Sequence, residues 1–465
     1  MNWSHWPAPL KNQTILVLGL GDTGFSVVRW LREQGALVRA ADTRPNPPQG
    51  ERMLRIYPDV ECHFGPLARS VFEGVDLVVA SPGVPLSEPE VAAALARGQQ
   101  VVGDVELFAR TVQSWEVPPK VVAITGSNGK STVTTMVGRM VEAAGLSVAA
   151  IGNIGTPVLD VLSPGERKEV YVLELSSFQL ETTHHLDLQA GTVLNVTEDH
   201  LDRYPDMDAY AAAKARIFVH CRQRVLNRED RRSLALQVPG GVTFGLDAPA
   251  DSHDWGLVVH PDGCWIQQGN EPVMPLRDLS LPGQHNAANA MAALALCDAL
   301  AVPREAALRG LREFRGLPHR VEPVATVQDV TYFDDSKGTN VGATVAALKG
   351  MTQPIVLIAG GDGKGQDFSP LGEAVKGHVR GVILIGRDAP IMERALQGSG
   401  VPVDMAPSLE AAVHMASRMA QPGDGVLMSP ACASFDMFRN YLHRAEVFVA
   451  EVHALVREAA IQEGA

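Results

Sequence analysis

Short apolar runs recur along the chain, each closing on a glycine-rich or polar turn and followed by a helix-like pattern. They are TILVLGLG (14–21), LVRAAD (37–42), VDLVVASPG (75–83), VVAITGSNG (121–129), VYVLELSS (170–177), GTVLNVTEDH (191–200), IVLIAGGDG (355–363), VILIGRD (382–388) and GVLMSPACAS (425–434). Strand-like runs alternating with helical patterns predict parallel α/β sheets. Ligands of such sheets bind beyond the carboxyl ends of the strands, so the turns are where chemistry is expected.

The turn TGSNGKST (125–132) carries the most informative chemistry. It follows the strand-like VVAI, and Val133, Met136, Val137, Met140, Val141 and Ala144 then recur at helical spacing. Glycines let backbone N–H groups approach phosphate, and a helix N-terminus favours an anion. In this reading Gly126, Ser127, Asn128, Gly129 and Thr132 wrap phosphate, Lys130 reaches the β- and γ-phosphates, and Ser131 helps hold Mg²⁺. The pattern departs from G-x-x-x-x-G-K-[ST] at its first position, where Ile124 stands. A ligand-free strand-to-helix turn is the alternative. A second turn, GLGDTG (19–24), has Asp42 about 20 residues on, which locally reads as a dinucleotide fingerprint or as a turn shaped by packing alone.

Glu174, at the end of VYVLE, suits Mg²⁺, which prefers oxygen ligands. His200 in NVTEDH is a poorer ligand on local grounds, Asp199 and Asp202 read as solvated loop acids, and the histidines of TTHH (182–185) read as surface residues. DDSKGTN (334–340) and GGDGKGQDF (360–368) each place a lysine in a polar turn beyond a strand, suited to anions or simply solvated.

The 465 residues suggest about three domains. Polar, proline-containing SWEVPPK (114–120) and the break near GLPHRVEPV (316–324) place them at 1–117, 118–318 and 319–465. A formal charge of −13 disfavours nucleic acid or anionic lipid as the main partner. Five scattered cysteines without C-x-x-C fit reduced thiols in a cytosol. The first residues carry no apolar signal core, and no apolar run reaches the length of a membrane span, so no membrane insertion is expected.

TGSNGKST, GNIG (152–155), ELSSFQLE (174–181), NVTEDHLDRYP (195–205), GQHNAANA (283–290), GLPHR (316–320), DDSKGTN, GGDGKGQDFSP and SPACASFDMF (429–438) together resemble the Mur ligases, over about residues 15 to 455. The resemblance implies an α/β chain of three domains: a Rossmann-like N-terminal domain for a UDP-sugar, a P-loop ATPase-like central domain, and a Rossmann-like C-terminal domain for an amino acid. It replaces the NAD reading of the first turn with a UDP one. Asp22, Thr23, Thr43, Arg44 and Gly83 are implied to meet uracil or pyrophosphate, and Asn153 the muramoyl part. Asp22 stands where an apolar residue is expected, which points to a backbone contact.

For the central domain the resemblance implies Lys130 and Ser131 on ATP and Mg²⁺, Glu174 and His200 as Mg²⁺ ligands for two ions, and a carbamate on Lys214 of AAAKARI. Asn286 and Asn289 would lie on the adenine side, with Arg320 and Asp335 toward phosphate and ribose. Lys337, Thr339, Lys364, Ser434 and Phe435 would place D-glutamate, with Tyr441 where phenylalanine is expected. The implied reaction joins D-glutamate to UDP-N-acetylmuramoyl-L-alanine through an acyl phosphate, in cytosolic cell-wall precursor synthesis. Lys130, Lys214 and His200 would be its catalytic residues. A sister ligase for another amino acid or dipeptide, a folylpolyglutamate synthetase, and a nucleotide-regulated scaffold are the rivals, to be separated by amino-acid screening and ATP turnover.

Overall fold

The computed structural model describes residues 10–162, 167–281 and 283–463. Among these the strands form three sheets. The first contains β1 (Thr14–Leu18), β2 (Leu37–Asp42), β3 (Glu61–Phe64), β4 (Leu77–Ala80) and β5 (Val101–Val102), ordered β3-β2-β1-β4-β5 with all neighbours parallel. The order reverses between β1 and β4, where such sheets open a crevice. The GLGDTG turn follows β1 into the helix Asp22–Glu33, which buries Phe25, Val28 and Leu31 at helical spacing.

The second sheet contains β6 (Lys120–Thr125), β7 (Val148–Gly152), β8 (Val170–Glu174), β9 (Leu188–Val193), β10 (Cys221–Asn227), β11 (Val242–Phe244), β12 (Trp255–His260), β13 (Gly263–Gln268) and β14 (Glu271–Pro275). Their order is β14-β13-β12-β11-β10-β9-β6-β8-β7. β12, β13 and β14 form an antiparallel meander at one end, and the other neighbours are parallel. The third contains β15 (Glu322–Val327), β16 (Val330–Asp334), β17 (Ile355–Gly360), β18 (Val379–Ile385), β19 (Val403–Met405) and β20 (Gly425–Met428), ordered β15-β16-β20-β17-β18-β19. Only β15 with β16 is antiparallel there.

The chain divides into two compact units. One holds the described residues of Met1–Asn195, Asp208–Pro275 and Asn289–Arg312, and so the first two sheets. The other holds Val196–Met207, Leu276–Ala288 and the described residues of Glu313–Ala465, with the third sheet.

Continuous apolar strands are what a parallel sheet covered on both faces requires. In β17, Ile355, Leu357 and Ala359 enter one core while Val356 and Ile358 enter the opposite one. β18 repeats the alternation, Val382 and Leu384 against Ile383 and Ile385. Each such buried side chain contributes roughly 1.5–3 kcal/mol, so the strands fix the sheet and leave the turns at their ends available for chemistry. No helix among the described residues is long and apolar enough to cross a membrane.

Candidate active site

Thr43, Arg44, Gly83, Asp22 and Thr23 all lie just past the carboxyl ends of β1, β2 and β4. Asp42, the acid of the local dinucleotide pattern, is buried and fully engaged within the protein. It accepts from the Leu20 N–H (2.7 Å), the Arg44 N–H (2.9 Å) and the Arg44 guanidinium (2.8 and 2.7 Å). Burial works to raise its pKa, but these donors outweigh it and hold the carboxyl below its ordinary range. Asp42 therefore braces the glycine turn and orients Arg44, which removes the acid that a ribose would need. Asp22 accepts from Gln49 Nε2 at 2.7 Å. A side chain at Gly24 would strike the Gly19 carbonyl, so that turn needs glycine for packing.

The phosphate loop joins β6 to the helix Lys130–Ala143. Gly129, at φ 82, turns the backbone into that helix, and no acid occupies the helix's first turn. Lys130 Nζ folds back onto the carbonyls of Gly126 (2.9 Å) and Ser127 (2.8 Å). Lys214, only 1% exposed, donates to the same Gly126 carbonyl at 3.0 Å and lies over the Tyr210 ring at 4.4 Å. Two lysine side chains thus converge on one loop carbonyl. Ile124, which replaces the expected glycine, is a fully buried core residue of β6. Asn289 lies against Gly129. Asn289 and Asn286 share the helix Gln284–Ala299.

Glu174 ends β8, paired in register with Ile124 of β6, and therefore emerges beside the loop. It is 2% exposed. Its Oε1 accepts from Asn153 Nδ2 at 2.9 Å, while Oε2 has no hydrogen-bond partner among the described residues. A buried carboxylate oxygen left unpaired is costly, and a hard cation would satisfy it. With buried Ser131 in the helix's first turn, this donor set fits Mg²⁺.

In the other unit, NVTEDH and GGDGK meet. Lys364 Nζ contacts Asp199 Oδ1 at 2.8 Å, the His200 N–H donates to the same oxygen at 3.0 Å, and Asn340 Nδ2 lies 3.4 Å from Oδ2. Asp199 is thus a buried acid tied to Lys364, and its reading as a solvated loop residue is corrected. Lys364 (φ 52) and His200 (φ 57) both take left-handed backbone conformations, as sharp turns demand. Lys337 Nζ lies 4.0 Å from the Tyr441 ring centroid, so the tyrosine ring at that position holds the lysine. Asp335 is buried and accepts from Ser429 Oγ at 2.6 Å. Burial pushes its pKa up to about 7, with Arg320 opposing the rise. Thr339 is half-buried, Ser434 is buried, and Phe435 is exposed.

Several contributors escaped the sequence reading. Arg444, 1% exposed on the helix Tyr441–Glu463, donates to the Ser336 carbonyl (2.9 Å) and the Cys432 carbonyl (3.1 Å), joining DDSK to SPACAS. Burial lowers its pKa to about 10. His319 bonds buried Asp334 at 2.6 Å and accepts from the Lys337 N–H at 3.2 Å. Of the TTHH histidines, His184 is exposed, but His185 is tied to fully buried Glu106, its ring at 2.5 Å and its N–H at 3.0 Å. Asn195 and Tyr210 touch the phosphate loop itself. The one sequence signal for Asn195 was an amide directly after a buried apolar strand.

Family models agree with this layout. The Mur ligase MurD-like N-terminal domain matches residues 13–103, the Mur ligase middle domain 124–297, and the Mur ligase glutamate ligase domain 319–432. A UDP-N-acetylmuramoylalanine–D-glutamate ligase of Methylobacillus flagellatus is 54% identical over 97% of this chain and 98% of its own. A ligase of the same name from Nitrosospira multiformis is 55% identical over 96% of each chain. Among solved structures, the UDP-N-acetylmuramate–alanine ligase MurC of Thermotoga maritima shares the fold at TM-score 0.60 and 19% identity, over 95% of this chain and 100% of that one. With all three domain models matched in order and relatives aligned along nearly the full length, the chain belongs to the Mur ligase family.

Proposed function

We propose that the chain joins D-glutamate to UDP-N-acetylmuramoyl-L-alanine at the expense of ATP, forming ADP and phosphate, in peptidoglycan precursor synthesis. The observation that carries this reading is 54% identity along 97% of the chain to a ligase named for that reaction. The phosphate loop and the orphaned Glu174 oxygen support its ATP and Mg²⁺ half. The three functional domains are proposed to span 1–117, 118–318 and 319–465, holding UDP-substrate, ATP and amino acid.

In the first step the substrate's alanyl carboxylate oxygen attacks the γ-phosphorus, the bond to the β-phosphate oxygen breaks, and ADP leaves. In the second the neutral amine of D-glutamate attacks the acyl carbon. The tetrahedral intermediate collapses, its C–O bond to phosphate breaks, and the nitrogen loses a proton. The protein contributes position and charge. Lys130 leaves the loop carbonyls to neutralise the transferring phosphoryl group. Backbone N–H groups of the loop hold the β-phosphate at the helix N-terminus. Asn286, Asn289, Arg320 and Asp335 are proposed to orient nucleotide. Asp22, Thr23, Thr43, Arg44, Gly83 and Asn153 are proposed to hold the UDP-substrate. Lys337, Thr339, Lys364, Ser434 and Phe435 are proposed to fix the two carboxylates of D-glutamate and present its amine.

Ser131 and Glu174 would hold Mg²⁺, which when bound withdraws charge from the phosphate oxygens. A second ion and a metal role for His200 belong to the same proposal. So does a carbamate on Lys214: the ammonium first gives up a proton, and the neutral amine then forms an N–C bond to CO₂ and releases a second proton, leaving an anion suited to a metal. The cytosol is the proposed compartment.

Phosphate release with ATP, Mg²⁺ and UDP-N-acetylmuramoyl-L-alanine tests the reading: D-glutamate should support it, and L-glutamate, L-alanine and diamino acids should not. Equal turnover with another amino acid would replace the substrate assignment. For the carbamate, ¹³C-bicarbonate should give a carbamate resonance that Lys214→Ala lacks, and its absence from the unsubstituted protein would remove that part.

A further inference from the structure

β9 ends at Val193, and the chain stays in hydrogen-bonding reach of the phosphate loop for two more residues. The Leu194 N–H donates to the Thr125 carbonyl at 2.9 Å. Asn195 then engages the loop three times. Its carbonyl accepts from the Ser127 N–H (2.9 Å), its Oδ1 accepts from the Asn128 N–H (2.8 Å), and its Nδ2 donates to the Asn128 carbonyl (3.1 Å). The side-chain amide therefore pairs with residue 128 as a neighbouring strand would, with one bond in each direction. Asn195's own position is fixed from behind, since Asn227 Nδ2 of β10 donates to the Leu194 carbonyl at 2.8 Å. Gly126 makes the approach possible, because a side chain there would press on Leu194 Cβ at 3.1 Å and the Asn195 nitrogen at 3.2 Å.

This arrangement answers the departure at Ile124. A loop that begins one glycine later has less backbone with which to shape itself, and an adjacent strand supplies the missing support. It also divides the loop's donors. The N–H groups of Ser127 and Asn128 point to Asn195, whereas those of Gly129 to Thr132 belong to the first turn of the helix Lys130–Ala143, where an N–H has no carbonyl four residues earlier within the helix.

We propose that Asn195 is a positioning residue for ATP: it clamps Ser127 and Asn128 so that the loop presents Gly129 to Thr132 and Lys130 to the triphosphate. The inference rests on the ATP reading above.

The test uses the full chain with Asn195→Ala and the near-isosteric Asn195→Asp, which loses the donor and adds a charge. Asn195→Ala should raise the KM and the calorimetric Kd for MgATP about tenfold, equivalent to about 1.4 kcal/mol, in the range of two lost hydrogen bonds. The KM for UDP-N-acetylmuramoyl-L-alanine should stay within about twofold. Asn195→Asp should weaken ATP at least as much, because it sets a carboxylate against the Asn128 carbonyl and near the phosphates. In Asn195→Ala, hydrogen exchange at the Asn128 amide should quicken while β6 amides stay protected. Should Asn195→Ala fail to fold, the KM and Kd for MgATP of Asn195→Asp decide the matter. An ATP KM within twofold of the unsubstituted enzyme in either folded variant, or a parallel rise in both substrates' KM values, overturns the clamp. Absence of ATP turnover in the unsubstituted protein overturns the ATP reading itself, whatever the exchange data show.

Discussion

GLGDTG after β1 and TGSNGKST after β6 occupy equivalent places, each a glycine turn leading from a parallel strand into a helix. By spacing alone they read as two nucleotide sites. Their surroundings differ in charge. At the first turn the helix begins with Asp22, so its positive end already faces a carboxylate, and Asp42 is held by Arg44 and the Leu20 N–H. At the second the helix begins with Lys130, its first turn carries no acid, Lys214 joins Lys130 on the Gly126 carbonyl, and nearby Glu174 keeps an oxygen with no hydrogen-bond partner among the described residues. A glycine turn thus specifies a backbone path, and the charges around it decide whether triphosphate and metal bind there.

The contrast is broken most severely at Lys130. Lys130→Ala should cut phosphate release by at least about 100-fold, as expected when a charged transition-state donor is lost. Its melting temperature should hold, because the side chain lies on a turn and bonds loop carbonyls outside the sheet cores; near-normal turnover would move the triphosphate elsewhere. Next comes Glu174→Gln, which keeps an oxygen for Asn153 but removes the charge. The Mg²⁺ concentration for half-maximal activity should rise about tenfold or more, and an unchanged Mg²⁺ requirement would dissociate Glu174 from the metal. Asp42→Ala sharpens the other side: losing its hydrogen bonds should cost about 1–3 kcal/mol of stability. It should raise the KM for the UDP-substrate and leave that for ATP unchanged, a pattern that substrate titrations would reveal or refute.

The smallest effect expected is one of pH. Burial raises the Asp335 pKa from 3.8 to about 7, so in that window the folded protein holds a proton that the unfolded chain has released. Stability from this group is complete below about 4 and declines as pH rises toward 7. Asp335→Asn should flatten that decline in melting temperature between pH 4 and 8, and an unchanged slope would show that Asp335 does not titrate there.

Strands and phosphate loop were legible because contiguous residues encode them: an apolar run, then glycines, a lysine and a hydroxyl in series. What escaped comes from distant parts of the chain. Asn195 reaches residue 128 only because β9 lies beside β6. Arg444 lies far beyond the Ser336 it holds, on a helix whose sequence shows nothing of that contact. Asp199 looked like a solvated acid until the fold brought Lys364 to it. The local NAD fingerprint misled for the same reason, since no spacing rule shows that Asp42 is already taken up by Arg44.

Ligation through an acyl phosphate is tested most directly with UDP-N-acetylmuramoyl-L-alanine labelled with ¹⁸O in the alanyl carboxylate. In the presence of ATP, Mg²⁺ and D-glutamate, mass spectrometry of the released phosphate should find one ¹⁸O per turnover, carried from carboxylate to phosphorus when the acyl–oxygen bond breaks. Unlabelled phosphate accompanying amide product would contradict the account.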